Sequence, residues 1–178
     1  MITETHISAC KKLQRDAQRQ VYEYMSPKLY RTCKRYLKKE EEIEEVLADA
    51  FYTIFTKIEQ LKEHGAFEAW ARKITVNHCL YQLKRNVNFN LYLEDTKFQI
   101  QPESAQETPL EEEDLLKLLQ RIPDGCKTIF NLFVIEGYGH KEIALMLNIS
   151  EGTSKSQLNV AKTKLKDLVN QLYYQKVK

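Results

Sequence analysis

The stretch HKEIALMLNISEGTSKSQLNVAKTKLKDL, residues 140–168, holds two helical patterns separated by a short turn. In residues 140–147, apolar side chains recur at helical spacing, which is typical of one buried helix face. Asn148 follows, a residue that tolerates the left-handed backbone conformation, and the hydroxyl of Ser150 can cap a second helix. The order helix, tight turn, helix is therefore predicted here.

The second of these helices has an inward face and a polar face. The inward positions are spaced four, three, four and three residues apart: Ser154, Leu158, Ala161, Leu165 and Leu168. The opposite side carries small, polar or basic residues: Gly152, Lys155, Ser156, Asn159, Thr163, Lys162, Lys164 and Lys166. A helix with such a face can enter the major groove of DNA, where its front contacts base edges and its lysines contact phosphates. An ordinary solvated helical hairpin is the alternative interpretation.

Further helices are predicted on the N-terminal side of this motif. A helical pattern runs from residue 110 to Pro123, and a second one carries Ile129 and Phe130. We expect the second to end near Gly137 and Gly139, since glycine adopts the left-handed turn that closes a helix. Residues 110–178 are thus predicted to form one small helical domain.

Charge divides the chain of 178 residues into three parts, although the net charge is only +2. Residues 1–86 hold 16 basic and 12 acidic groups, residues 87–114 hold 1 and 8, and residues 115–178 hold 10 and 5. Residues 87–109 also lose helical periodicity and offer little apolar surface to offset the entropy of ordering. They are predicted to be a flexible acidic linker, with a short strand as the alternative.

Residues 1–86 are predicted to form a first domain of three or four helices. An apolar stripe from Glu40 onward marks one helix that ends before Gly65, another helix is expected over residues 28–37 with Pro27 in its first turn, and a third over residues 67–83. Only 5 Gly and 4 Pro in the whole chain disfavour a fold of many short strands. The predicted fold is therefore all-α, with two small helical domains joined by the linker.

The helix over residues 67–83 has features suited to unpaired nucleic acid. Phe67, Trp70 and Ile74 share one face. Phe67 and Trp70 are expected to fill the core of the domain, with direct contact to a base as the alternative. Lys73 and Asn77 lie beside that face, with Lys84 and Arg85 beyond them. A basic path beside a pocket or stacking surface is what binding of an unpaired strand requires.

Both halves of the chain resemble one protein family. Residues 121–165 resemble region 4 of bacterial RNA polymerase sigma factors of the extracytoplasmic-function (ECF) group of the sigma-70 family. The motif Phe67-x-x-Trp70-x-x-x-Ile74-x-x-Asn77 resembles region 2 of the same factors, and IEEVLADAF, residues 43–51, resembles the helix before it. The two regions occur in the family's order, and the resemblance covers most of residues 18–170.

This resemblance implies three contact surfaces. The second helix of the helix-turn-helix motif, called the recognition helix below, would bind the minus-thirty-five promoter element. The residues that would make this contact are Glu151, Gly152, Thr153, Lys155, Ser156, Asn159 and Lys162. The first domain would open the minus-ten element through Trp70, Lys73, Asn77, Lys84 and Arg85, with help from the loop at residues 86–90. Docking to the clamp helices of the largest polymerase subunit would use Glu44, Glu45, Ala48, Asp49 and Phe51. The implied partners are core RNA polymerase, including its flap, promoter DNA and an anti-sigma factor.

No enzyme motif is found in the sequence. The histidines His6, His64, His78 and His140 are scattered, and neither an HExxH motif nor a glycine-rich phosphate loop occurs. The cysteines Cys10, Cys33, Cys79 and Cys126 lie 23, 46 and 47 residues apart, so no CxxC pair could bind zinc. We therefore expect no enzymatic activity, no metal and no cofactor.

A cytoplasmic location is expected, without membrane insertion. The first twelve residues lack the apolar segment of a signal peptide, no apolar run approaches the roughly 20 residues of a membrane helix, and unpaired thiols suit a reducing compartment. The first alternative to a sigma factor is a helix-turn-helix regulator that binds duplex DNA without polymerase. The second is a helical interaction module with no role on DNA.

Overall fold

The computed structural model describes residues 2–85, 89 and 112–176, and the regular structure in these residues is helical. The chain divides into two compact units, Met1–Arg85 and Asn86–Lys178. The prediction of an all-α protein with two helical domains is confirmed. The predicted linker, residues 87–109, lies outside the described residues except for Phe89, which is helical and buried.

The first unit contains four α-helices. They are α1 (Glu4–Lys11), α2 (Arg15–Tyr36), α3 (Glu40–Lys57) and α4 (Phe67–Lys84), with short 3-10 turns at Ile58–Gln60 and His64–Ala66. The helices α2, α3 and α4 pack against one another, and α1 packs on α2. Their core includes Val21, Met25, Leu29, Ile54 and Phe67. Each such side chain contributes roughly 1.5–3 kcal/mol when it is removed from water.

The helix α2 begins much earlier than the sequence predicted. We expected a helix over residues 28–37 with Pro27 in its first turn, but Pro27 lies inside the 22-residue helix Arg15–Tyr36. Pro27 is exposed, so water can reach the backbone carbonyl that loses its hydrogen bond to the proline nitrogen. Val21 and Met25 are buried in the half of the helix before the proline, and their packing offsets that loss.

A polar cluster joins α2 to α4. Tyr24 Oη donates to Glu68 Oε1 at 2.8 Å, and Lys28 Nζ lies 2.8 Å from Glu68 Oε2. Lys28 Nζ also sits 4.0 Å from the centroid of the Tyr24 ring. The hydrogen bond from Lys28, followed by that from Tyr24, lowers the pKa of the Glu68 carboxyl against the opposing effect of burial.

The second unit contains four described α-helices. They are α5 (Glu112–Leu119), α6 (Asp124–Phe130), α7 (His140–Leu147) and α8 (Glu151–Lys176), with a π turn at Asn131–Ile135 that continues α6. The helix α8 packs against α5, α6 and α7. The core between them includes Leu118, Ile122, Val160, Ala161 and Leu165.

One of the two predicted glycine turns closes the helix before the helix-turn-helix motif. Gly137 has a φ of +79°, and the next amide, that of Tyr138, donates to the Leu132 carbonyl at 2.9 Å. Gly139 was predicted for the same role, but its backbone is extended and its amide donates to Glu142 Oε2 at 2.8 Å. Gly139 therefore begins α7 rather than ending the preceding helix.

The four cysteines are buried as free thiols, and burial raises the pKa of Cys10 and Cys126. Among the described residues, no helix combines the length and the apolar composition needed to cross a membrane. Within the same residues, no group of three or more histidine, cysteine or carboxylate side chains is arranged to bind a metal ion.

Candidate nucleic-acid interface

The turn between α7 and α8 has the predicted geometry. Asn148 adopts φ 56° and ψ 49°, in the left-handed region, and the amide of Ile149 donates to the Ala144 carbonyl at 3.0 Å. Ser150 Oγ then accepts from the Thr153 amide at 2.9 Å and caps α8. Both the turn residue and the capping residue are confirmed.

A part-buried hydrogen bond joins α8, the predicted recognition helix, to α7. His140 Nδ1 and Ser154 Oγ are 2.9 Å apart, and the ring of Phe133 stacks on the His140 ring at a centroid distance of 4.5 Å. Ser154 is fully buried. The start of α7, the π turn and the second turn of α8 are therefore held together.

The faces of α8 follow the predicted pattern. The inward positions Ser154, Leu158, Ala161 and Leu165 are buried, and Leu168 is half-buried against the core of the second unit. Gln157 and Val160 are also buried, because α8 packs on more than one neighbouring helix. The sequence had suggested a single inward stripe and missed this second one.

The structure places the predicted minus-thirty-five residues along the outer side of α8. Four are exposed, namely Gly152, Lys155, Asn159 and Lys162, while Glu151, Thr153 and Ser156 are half-buried. Lys155 Nζ lies 2.7 Å from Glu151 Oε1, and this contact lowers the pKa of the Glu151 carboxyl. Ser156 Oγ donates to the Thr153 carbonyl at 3.0 Å.

A cleft of about 400 Å³ lies between α3 and α4 in the first unit. It brings together three of the five predicted minus-ten residues, Trp70, Lys73 and Asn77. Lys84 and Arg85 lie at the carboxyl end of α4 and do not line it. Phe67 is buried in the core as predicted. Trp70 is only half-buried at the edge of the core, and with Ile74 it forms the apolar part of the cleft.

Sequence reasoning missed the other wall of the cleft and one residue of α4. These lining residues are Thr53, Lys57, Gln60 and His78. Thr53, Lys57 and Gln60 are spaced four and three apart, so they share a face of α3 and the turn after it. That spacing could have identified the face, but not the helix that it would meet.

An exposed aromatic residue was missed as well. Tyr81 is 68% exposed and lies four residues after Asn77 on α4. Residues spaced by four lie on the same side of a helix. The face that carries Lys73 and Asn77 therefore also offers a ring on which a base can stack.

The predicted polymerase-docking residues fall into two groups. Glu44, Glu45, Ala48 and Asp49 are exposed along one side of α3. Phe51 is only 4% exposed, and its ring packs against Tyr22 and Phe55 at centroid distances of 4.5 and 5.9 Å. The Phe51 ring therefore belongs to the core and supports the predicted docking side of α3 from within. Glu45 Oε1 also lies 3.8 Å from Arg85 Nη1.

Two family models match the chain, one in each half. Residues 21–88 match Sigma-70 region 2, and residues 112–165 match Sigma-70 region 4. With both regions present in this order, the chain belongs to the sigma-70 family.

Similar proteins identify the group of the sigma-70 family to which the chain belongs. The ECF RNA polymerase sigma factor SigW of Bacillus subtilis is 21% identical, with 97% of this chain and 99% of SigW aligned. The ECF RNA polymerase sigma factor SigM of Mycobacterium tuberculosis is 27% identical over 81% of this chain and 72% of SigM. The chain is an ECF sigma factor, which binds core RNA polymerase and directs transcription initiation at promoters.

Solved structures have the same fold. CnrH, in complex with the cytosolic domain of CnrY, matches with a TM-score of 0.53 and 16% identity over 94% of this chain and 96% of CnrH. The sigma factor RpoE of Bartonella quintana, in complex with the anti-sigma factor NepR, matches with a TM-score of 0.52 and 18% identity. This match covers 85% of the present chain and 96% of RpoE.

Proposed function

We propose that this sigma factor divides promoter recognition between its two units. The first unit docks on core polymerase and holds the opened minus-ten strand, and the second binds the minus-thirty-five duplex. The observation that carries this proposal is the match of the chain to both sigma-70 regions, in the order that the family has. The factor acts by binding alone, without a covalent step of its own, in the cytoplasm where promoter DNA and polymerase meet.

At the minus-thirty-five element, α8 enters the major groove with its exposed side. Asn159 and Lys155 contact base edges, since amides and lysines match the acceptors and donors of purines. Lys162 contacts phosphate. The hydrogen bond between His140 and Ser154 supports this role, because a recognition helix must keep one orientation to place its side chains in register. Lys155 leaves Glu151 as it binds DNA.

At the minus-ten element, the cleft between α3 and α4 receives an unpaired base. Trp70 and Ile74 supply apolar surface, Asn77 supplies hydrogen bonds, and the exposed Lys57 and Lys73 attract the backbone phosphates. A base that leaves the duplex loses stacking worth a few kcal/mol, which such contacts must offset. Stacking on an aromatic residue is worth roughly 1–3 kcal/mol per base, and Tyr81 offers it to the adjacent nucleotide.

On polymerase, the acidic side of α3 binds the clamp helices of the largest subunit. Glu44, Glu45 and Asp49 complement a basic helical partner, which speeds encounter and sets register. Because CnrH and RpoE are bound in their solved structures to the cytosolic domain of CnrY and to the anti-sigma factor NepR, we propose that an anti-sigma factor regulates this chain as well.

Reconstituted transcription with core polymerase tests the site assignment. Asn77→Ala and Lys155→Ala are each expected to lower promoter opening by about tenfold, which corresponds to roughly 1.4 kcal/mol. Asn170→Ala, a change at an exposed position near the end of α8, serves as the control and should act as wild type. Wild-type opening by both Asn77→Ala and Lys155→Ala would refute these sites.

A further inference from the structure

The cleft contains a histidine whose ring is held by the opposite helix. His78 of α4 and Thr53 of α3 both line the cleft and are half-buried. Their side chains meet between the helices, with Thr53 Oγ1 2.9 Å from His78 Nε2. A threonine in a helix has few allowed rotamers, so its hydroxyl is a well-defined partner. The imidazole ring is therefore fixed at the wall of the cleft.

This contact determines which atom of the ring remains for a ligand. A neutral imidazole has one nitrogen that donates and one that accepts. Since Nε2 is engaged by Thr53, Nδ1 is the second hydrogen-bonding atom of the ring. Within the described part of the chain, the Thr53 hydroxyl has no hydrogen bond besides the one to His78. The hydroxyl can therefore either donate to Nε2 or accept from it. When the hydroxyl donates, Nδ1 carries the ring proton and is a donor; when the hydroxyl accepts, Nδ1 is an acceptor.

Apart from the amide side chains of Asn77 and Gln60, the remaining lining makes contacts that do not distinguish one base from another. Contacts of a base with Trp70 and Ile74, and of its phosphate with lysine, are nearly independent of base identity. A hydrogen-bonding atom at a fixed position discriminates, because a base that presents no polar atom opposite Nδ1 leaves it unpaired. We infer that His78, oriented by Thr53, recognises the identity of the unpaired base in this cleft, an inference that rests on the proposed minus-ten function. Thr53 is a positioning residue in this scheme.

The test uses the holoenzyme and promoter DNA randomised across the minus-ten segment. Templates transcribed by the wild-type factor and by each variant are sequenced, which gives a base preference at every position. His78→Leu is expected to reduce the preference at one position by about five- to tenfold and to leave the other positions unchanged. Thr53→Val should reduce the preference at that same position. Thr53→Ser, which keeps the hydroxyl, should retain it.

The outcomes separate this inference from the proposed function. If wild-type factor shows a preference that Asn77→Ala weakens, but His78→Leu and Thr53→Val retain the wild-type profile, the inference about His78 is wrong and the minus-ten role stands. If His78→Leu and Thr53→Val lower transcription equally for every base at every promoter position, His78 and Thr53 have only a structural role, and the inference is also wrong. If wild-type holoenzyme shows no preference in this segment, the proposed minus-ten function itself fails.

Discussion

At the scale of single residues, a few side chains set the geometry on which the interfaces depend. Asn148 holds the left-handed turn between α7 and α8, Ser150 caps α8, and the contact of His140 with Ser154 joins the two helices. In the first unit, Glu68 joins α4 to α2. Each of these contacts has a measurable consequence for stability.

Replacement of Asn148 tests the strain in the turn. Asn148→Val should destabilise the second unit by about 1–2 kcal/mol, because a β-branched residue is strongly disfavoured at positive φ. Asn148→Gly, which has no side chain to strain the turn, is the matched control and should be at least as stable as wild type. Urea unfolding followed by circular dichroism measures the change. The fluorescence of Trp70, the single tryptophan, reports the first unit separately. An Asn148→Val variant as stable as wild type would contradict the account.

The pKa of Glu68 predicts a pH dependence of the first unit. The pKa of Glu68 is lower in the folded state. The ionised carboxyl therefore stabilises the fold at pH values above its pKa in the unfolded chain, which is about 4.3. That contribution is lost as the pH falls through the lower, folded value. The side chains of Lys28 and Glu68 are 44% and 45% exposed, so the effect should stay below about 1 kcal/mol.

The measurement is urea unfolding, followed by Trp70 fluorescence, between about pH 5 and about pH 3. Glu68→Gln should lose less stability over this interval than wild type does. Glu63→Gln, at an exposed position outside the described ion pairs, should lose as much as wild type. Equal pH dependence of wild type and Glu68→Gln would show that the polar cluster contributes nothing.

At the scale of helices, sequence periodicity predicted elements well where one face was clearly apolar. The bounds of α4 and α7, and the turn that follows α7, agree with expectation. The helix α2 was missed before Pro27, since a proline marks a helix start by default and only packing shows that this one is internal. Lys127 is fully buried with its Nζ 3.0 Å from Asp124 Oδ1, which no periodic pattern could predict for a lysine.

The placement of the candidate site residues could be predicted from the sequence only where a single helix carries them. The outer side of α8 and the α4 wall of the cleft follow from spacing within a single helix. The α3 wall, with Thr53 and Lys57, was missed because it depends on which helices pack together. Phe51 was assigned to the docking surface, and burial of its ring places it in the core instead.

Two substitutions on α8 should separate positioning from base recognition. Lys162→Ala should weaken holoenzyme binding about equally on all promoters and lower the salt slope by about one, because one phosphate contact is lost. Asn159→Ala should cost about 1–3 kcal/mol at one base pair and relax the preference there. The salt slope and the base preference are both measured by titration of promoter DNA at several salt concentrations.

The control is Lys12→Ala, at an exposed lysine of the first unit, which should change neither the salt slope nor the base preference. A lowered salt slope for this control would undermine the assignment of Lys162.

At the scale of the whole molecule, the proposed function depends on two units in one chain. The chain holds a cleft suited to an unpaired base in one unit and a helix-turn-helix motif in the other. Once one unit binds its part of a promoter, the other is present at a high effective concentration. In the proposed function, neither contact needs to be strong alone, because core polymerase supplies the frame on which both are made.

The most direct test of this account is promoter binding by the purified chain with and without core RNA polymerase. A gel shift and a permanganate assay for unpaired thymines are run on the same promoter DNA. We expect the chain to co-purify with core polymerase, and we expect specific binding and strand opening only when polymerase is present. Tight, sequence-specific binding by the chain alone, together with failure to associate with core polymerase, would contradict this expectation.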